Sequence, residues 1–276
     1  MAAFLAAKNG VYDAQILVWS LITTLFLQVL SNLANDYGDA QSGVDGEHRE
    51  GPERTVSSGL ISKKAMKNAL IVFSILSLLS GVYLIVIAFG EDWLKAGIFL
   101  ILGLGAIAAA IKYTVGKNPY GYAGMGDFFV LVFFGFVGVA GSYYLYAHTL
   151  NWMIMLPTLS TGLLSVGVLN VNNIRDIESD RASGKLSIPV RIGRENAVIY
   201  HWGILLASLI ASLIYVNMSD VGWQGYLFLL VTPFWFLNAR AVKIKTTPRS
   251  LDPYLKQLAL STLLYVLLFG SGLILF

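Results

Sequence analysis

The chain has no cysteine among its 276 residues, which excludes disulfides, thiolate zinc sites and cysteine nucleophiles. Charge is scarce as well. Only 13% of the residues are Asp, Glu, Lys or Arg, about half the ~25% usual in a soluble domain. With 56% of residues hydrophobic, an ordinary water-soluble globule is excluded. The net charge of +3 is small and its basic residues are interspersed with acids, which excludes a nucleic-acid partner. Alternation of apolar and polar residues over about ten positions is missing too, which argues against a transmembrane β-barrel.

What the sequence does contain is long apolar runs. A membrane-spanning helix needs about 20 mostly apolar residues. Eight segments qualify, near 14–34, 66–89, 94–111, 127–147, 152–171, 197–216, 223–242 and 256–276. The expected fold is therefore all-α, a polytopic membrane helix bundle forming a single domain over 1–276, with the lipid bilayer as its surroundings. The linkers alternate in character. Those at 35–65, 112–126, 172–196 and 243–255, taken with their helix ends, hold 17 of the 19 basic residues. The positive-inside bias puts that set on the cytoplasmic side of the membrane. Residues 1–9 are too short to span and lack the features of a signal peptide.

Two clusters of acids and amides stand out. Ser31–Asp39 reads SNLANDYGD and Asn172–Asp180 reads NNIRDIESD. Asn32 and Asp36 are four residues apart, as are Asn172 and Asp176, and Asp176 and Asp180; Asp39 follows Asp36 by three. Such spacing puts the oxygens on one helix face. The clusters are in register 140 residues apart, Asn32 with Asn172 and Asp36 with Asp176, which reads as an internal repeat with the two sets facing across a cavity. Singly, each cluster could be a helix cap and solvated loop charge. Together they read as a site, because carboxylates at membrane depth are costly and functional by default. Hard oxygen donors without Cys or a matched His pair favour Mg²⁺. Magnesium commonly shares its coordination with a substrate phosphate. Arg49, Arg54, Lys112, Arg175 and Lys185 stand beside these motifs and suit phosphate oxygens, against the alternative of headgroup-facing residues.

The motifs Asn32-xxx-Asp36-xx-Asp39 and Asn172-xxx-Asp176-xxx-Asp180 resemble those of the UbiA superfamily of intramembrane prenyltransferases. Residues 32–62, 112–145 and 172–194 are similar to the 1,4-dihydroxy-2-naphthoate polyprenyltransferases of the MenA type. The resemblance implies a polyprenyl diphosphate and dihydroxynaphthoate as substrates, with loss of CO₂ and diphosphate, giving demethylmenaquinone. Two Mg²⁺ ions would be held by Asn32, Asp36 and Asp39 and by Asn172, Asp176 and Asp180. Tyr113 and Thr114 match positions that touch the diphosphate in the family. Tyr37, Phe128, Phe133, Phe134, Tyr143 and Tyr144 are candidates to stabilise an allylic cation through their faces. Asp127 reads either as a residue that orients the acceptor or takes its hydroxyl proton, or as an N-cap. His48 reads as a loop residue, and His148 and His201 as span-end residues with no constellation around them. Gly135, Gly138 and Gly141, three apart, suggest close packing on one face. Family members usually have nine spans; here the first is missing or reduced to residues 1–9. Related enzymes acting on 4-hydroxybenzoate or homogentisate are the rivals within the class. A secondary transporter is the rival outside it, disfavoured because the carboxylates lie at helix ends among basic residues.

Overall fold

The computed structural model describes residues 1–42, 56 and 58–275. Among the described residues every regular element is helical. Eight segments are long and apolar enough to cross a membrane, in the order expected. The chain divides into two compact units.

The first unit holds Asp13–Gly126 and Glu178–Ser187. It is built on α2 (Ala14–Ser42), α3 (Lys63–Phe89) and α4 (Trp93–Lys112), with the short α8 (Ile177–Ala182) beginning one residue ahead of its second piece. Ser62 opens α3 by accepting from the Ala65 N–H, and Asp92 opens α4 by accepting from the Lys95 N–H. Leu30, Ala34 and Leu70 form its core against Leu33, Tyr37, Phe73, Ile107 and Ile111. The outward faces of α3 and α4 stay apolar, with Leu79 and Ile101 exposed. In water such a surface would be a liability, and in lipid it is the expected one. α2 extends well past residue 34, where the apolar run ends, because Asn32–Ser42 contains no proline and its single Gly38 is tolerated.

The second unit holds Met1–Tyr12, Asp127–Ile177 and Ile188–Phe276. Residues 2–8 form α1 (Ala2–Lys8), whose Leu5 and Ala6 are fully buried. The fourth span starts as α5 (Gly126–Val130), continues as a π-helix over Leu131–Gly141 and ends as α6 (Ser142–Ala147). This corrects the single glycine face expected there. A π-helix turns less per residue than an α-helix, so positions three apart no longer align. Gly135 does abut Gly162 of α7 (Met155–Arg175), whereas Gly138 lies nearest its own segment. α9 (Ile188–Met218) begins earlier than residue 197 because a helical turn precedes a break at Gly193, whose φ of 80° suits glycine. α10 (Thr232–Ile244) and α11 (Asp252–Ile274) complete the unit.

Polar side chains tie this unit's helices together. Ser160, Ser208, Ser212 and Tyr265 form one buried hydroxyl network. His201 lies within α9 rather than at a span end, and is fully buried. Its Nε2 donates to Asn238 Oδ1 at 3.0 Å, and Asn238 donates on to Gln257 and the Tyr254 carbonyl. Interhelical hydrogen bonds of this kind hold helices together where lipid supplies no hydrophobic drive.

Candidate active site

In the first unit, Asn32, Asp36 and Asp39 ride on the unbroken α2. Asp36 is buried, Asp39 half-buried and Asn32 exposed. The segment following α4 lies directly on this helix. A Cβ placed on Gly38 would come within 2.7 Å of the Thr114 backbone, so only glycine permits the approach. The Thr114 hydroxyl donates to the Ala34 carbonyl at 2.8 Å. Tyr122 reaches back and donates to Asp39 Oδ1 at 3.0 Å. Tyr113 stands edge-on to Tyr120, and Lys112, at the end of α4, is exposed. A cavity of about 380 Å³ opens here, with Gly38, Gln41, Thr114, Lys117, Tyr122 and Ser183 in its wall.

The same unit contains Asp180 and Lys185. Lys185 Nζ lies 3.1 Å from Asp180 Oδ1, and the Lys185 N–H donates to the Asp180 carbonyl. The neighbouring Leu186 N–H donates to the Tyr122 carbonyl, which fastens this turn to the segment that touches Asp39. Burial works against the Lys185 charge, but Asp180, Tyr113 and Asp39 outweigh it and hold the ammonium above the usual lysine range. A raised lysine stabilises the fold below its ordinary value, and that contribution is lost only as pH rises through the raised one. Lys185 is therefore charged throughout the neutral range. Lys185→Met is expected to cost about 3 kcal/mol by removing a cation that lies 3.1 Å from buried Asp180. Thermal unfolding in detergent checks this, and an unchanged midpoint would contradict it.

In the second unit, α7 stops at Arg175 and Asp176 is its C-cap, with φ −96° and ψ 12°. The continuous Asn172–Asp176–Asp180 helix face expected from the spacing is therefore broken at Asp176, and Asp180 belongs to the other unit. Arg175 grips the residue at the break. Its Nε and one terminal nitrogen donate to Asp176 Oδ1 and Oδ2, both at 2.7 Å. Successive residues of an α-helix point apart, so a fork between positions 175 and 176 is made as the second residue leaves the helix. Arg175 also donates to Asn172 Oδ1 at 2.9 Å and to Asp252 Oδ1 at 3.0 Å. Sequence spacing marked Arg175 for phosphate; in this structure its donors go to carboxylate and amide oxygens. Asp252, in the first turn of α11, was not singled out from the sequence. Asp127 lies in the first turn of α5, buried, and accepts from the Tyr200 hydroxyl at 2.9 Å. Tyr200 carried no sequence signal. Of the remaining candidates, Arg49, Arg54 and His48 lie outside the described residues.

The donors suit magnesium by chemistry. The candidate donors are carboxylate and amide oxygens; among the described residues no group of three His, Cys, Asp or Glu side chains that could hold a metal ion is formed. Magnesium is commonly held by one or two carboxylates, with substrate phosphates and water completing its shell.

Eight helices apolar enough to span a membrane, with oxygen-donor clusters and cations near helix ends, are consistent with an enzyme of the membrane that handles a charged substrate. The chain belongs to the UbiA prenyltransferase family, whose profile matches residues 1–274. It is 44% identical over 263 residues to the 1,4-dihydroxy-2-naphthoate octaprenyltransferase of Haemophilus influenzae, covering 95% of this chain and 85% of that protein. It is 45% identical over 271 residues to the enzyme of the same name from Escherichia coli, covering 98% and 88%. Its fold is similar to that of a UbiA homologue from Aeropyrum pernix, with a TM-score of 0.72 at 15% identity, over 99% of this chain and 94% of that one. A UbiA homologue from Archaeoglobus fulgidus, solved bound to DMAPP and Mg²⁺, has a TM-score of 0.66 at 16% identity, over 99% and 93%.

Proposed function

We propose that this integral membrane enzyme transfers a polyprenyl group from polyprenyl diphosphate to 1,4-dihydroxy-2-naphthoate, acting as one domain over 1–276. The observation that carries this reading is identity of 44% and 45% to naphthoate octaprenyltransferases over nearly the whole chain. Their name supports an octaprenyl donor. The bias of basic residues to one set of linkers supports an active site on the cytoplasmic face.

The bond changes are these. The allylic C1–O bond of the donor breaks, and the oxygen keeps the pair as diphosphate leaves. C1 bonds to the ring carbon that bears the carboxylate. The bond from that carbon to the carboxylate then breaks, its electrons restore the aromatic ring, and CO₂ departs. No oxidant is consumed, so the immediate product is the quinol form of demethylmenaquinone.

Asn32, Asp36, Asp39, Asn172, Asp176 and Asp180 are the residues that would hold Mg²⁺, which when bound neutralises the charge of the leaving diphosphate. Lys185, fixed by Asp180, presents a permanent positive charge beside Tyr113. Thr114 commits its hydroxyl proton to the Ala34 carbonyl, so its part is to seat the segment that carries Lys112 and Tyr113 against α2. Arg49, Arg54 and Arg175 add cationic donors for the diphosphate or its ligands. Apolar surroundings keep water from the allylic cation. Asp127, oriented by Tyr200, serves the acceptor hydroxyl as a base or an anchor.

Membranes carrying the chain, given Mg²⁺, octaprenyl diphosphate and a panel of 1,4-dihydroxy-2-naphthoate, 4-hydroxybenzoate and homogentisate, test the acceptor. Mass detection is expected to find a prenylated, decarboxylated product from the naphthoate alone. Turnover of 4-hydroxybenzoate in its place would overturn the assignment.

A further inference from the structure

We propose that Asp252 is a positioning residue that lets Arg175 release Asp176 to a divalent cation. The inference rests on reading Asp176 as a metal ligand.

The geometry poses a problem that Asp252 solves. Both oxygens of Asp176 are taken up by the Arg175 fork at 2.7 Å. A cation approaching Asp176 must compete with that guanidinium. Arg175 is only 7% exposed, and a buried guanidinium stripped of its carboxylate is strongly unfavourable. Were Asp176 its sole carboxylate partner, each cation bound there would strand a buried charge. It has a second partner. Asp252, in the first turn of α11, accepts from the third guanidinium nitrogen at 3.0 Å, and Asn172 Oδ1 accepts at 2.9 Å. Arg175 can therefore stay anchored on Asp252 when Asp176 turns to the metal. The Asn172 amide, 3.3 Å from Asp176 Oδ2, moves within the same exchange. A helix-start aspartate would ordinarily be read as serving the helix dipole alone. Here its side chain bridges 77 positions of sequence to an arginine that also grips Asp176.

Mn²⁺ binding to the purified full chain in detergent, followed by electron paramagnetic resonance without substrate, tests this. Asp252→Asn is expected to weaken binding about fivefold or more, because Arg175 then loses its alternative charged partner. Asp252→Glu is expected to restore most of the affinity. Removing a nearby negative charge would weaken cation binding even without any exchange, so the decisive comparison is made in an Arg175→Gln background. There Asp252→Asn is expected to change binding less than twofold. The same loss with and without Arg175 would overturn the proposal, as would wild-type affinity in Asp252→Asn. Asp176→Ala separates the two levels. Mn²⁺ binding that this variant leaves intact overturns the metal reading of Asp176 and the proposal with it. Binding that needs Asp176 but ignores Asp252 overturns the proposal alone.

Discussion

Asp36→Ala and Asp176→Ala are each expected to lower prenyl transfer by about 10²–10³-fold, the cost of losing a group that stabilises developing charge in a dry site. Asp36 is buried on an α2 face whose neighbour, Asp39, is fixed by Tyr122. Trimming Asp36 leaves α2 helical, since alanine is the best helix former. Asp176 sits after the last turn of α7, and its removal leaves Arg175 with Asp252 and Asn172 as partners. Both variants should therefore fold. Turnover is measured in membranes with saturating donor and naphthoate, and folding by elution profile and unfolding midpoint in detergent. Full activity in both variants would remove the metal–diphosphate account.

Gly38→Ala is expected to be the most damaging change outside the carboxylates. The new methyl would meet the Thr114 carbonyl carbon, oxygen and Cβ, each at 2.7 Å, and two of those atoms are backbone that cannot swing aside. The segment 113–126 would have to lift from α2, straining the Thr114 bond to Ala34 and the Tyr122 bond to Asp39. Overpacking of this kind costs about 1–3 kcal/mol. Activity should fall further than stability, because the displaced segment carries Tyr113 and borders the cavity beside Asp39. Gly97→Ala is the matched control: it lies in α4 with nothing within 4 Å of the added carbon, and helix propensity alone should make it neutral or slightly stabilising. Equal behaviour of the two variants in unfolding and turnover would contradict the close-approach argument.

The spans were legible because lipid imposes one strong rule: backbone groups must be satisfied within the segment. The two oxygen-donor clusters were legible because charge is so scarce that its gathering stands out. Helix ends were less so. The apolar signal of α2 fades near residue 34, yet the helix runs on to Ser42, since polar residues can prolong a helix that no breaker stops. Spacing placed Asp180 on one face with Asp176, but α7 ends at Arg175, whose guanidinium forks onto Asp176. Contacts between distant positions left no local trace. Asp252 with Arg175, Tyr122 with Asp39 and Tyr200 with Asp127 are 77, 83 and 73 residues apart. His201 reads as a span-end residue until α9 is seen to begin well before it, at Ile188.

The central claim is prenyl transfer coupled to loss of the ring carboxylate. Its most direct test uses 1,4-dihydroxy-2-naphthoate labelled in that carboxylate, with Mg²⁺, octaprenyl diphosphate and membranes carrying the chain. Labelled CO₂ is predicted to appear in equal amount with diphosphate and with prenylated product, and only when donor and Mg²⁺ are both present. A prenylated product that keeps the label, or diphosphate released with none, would contradict the account.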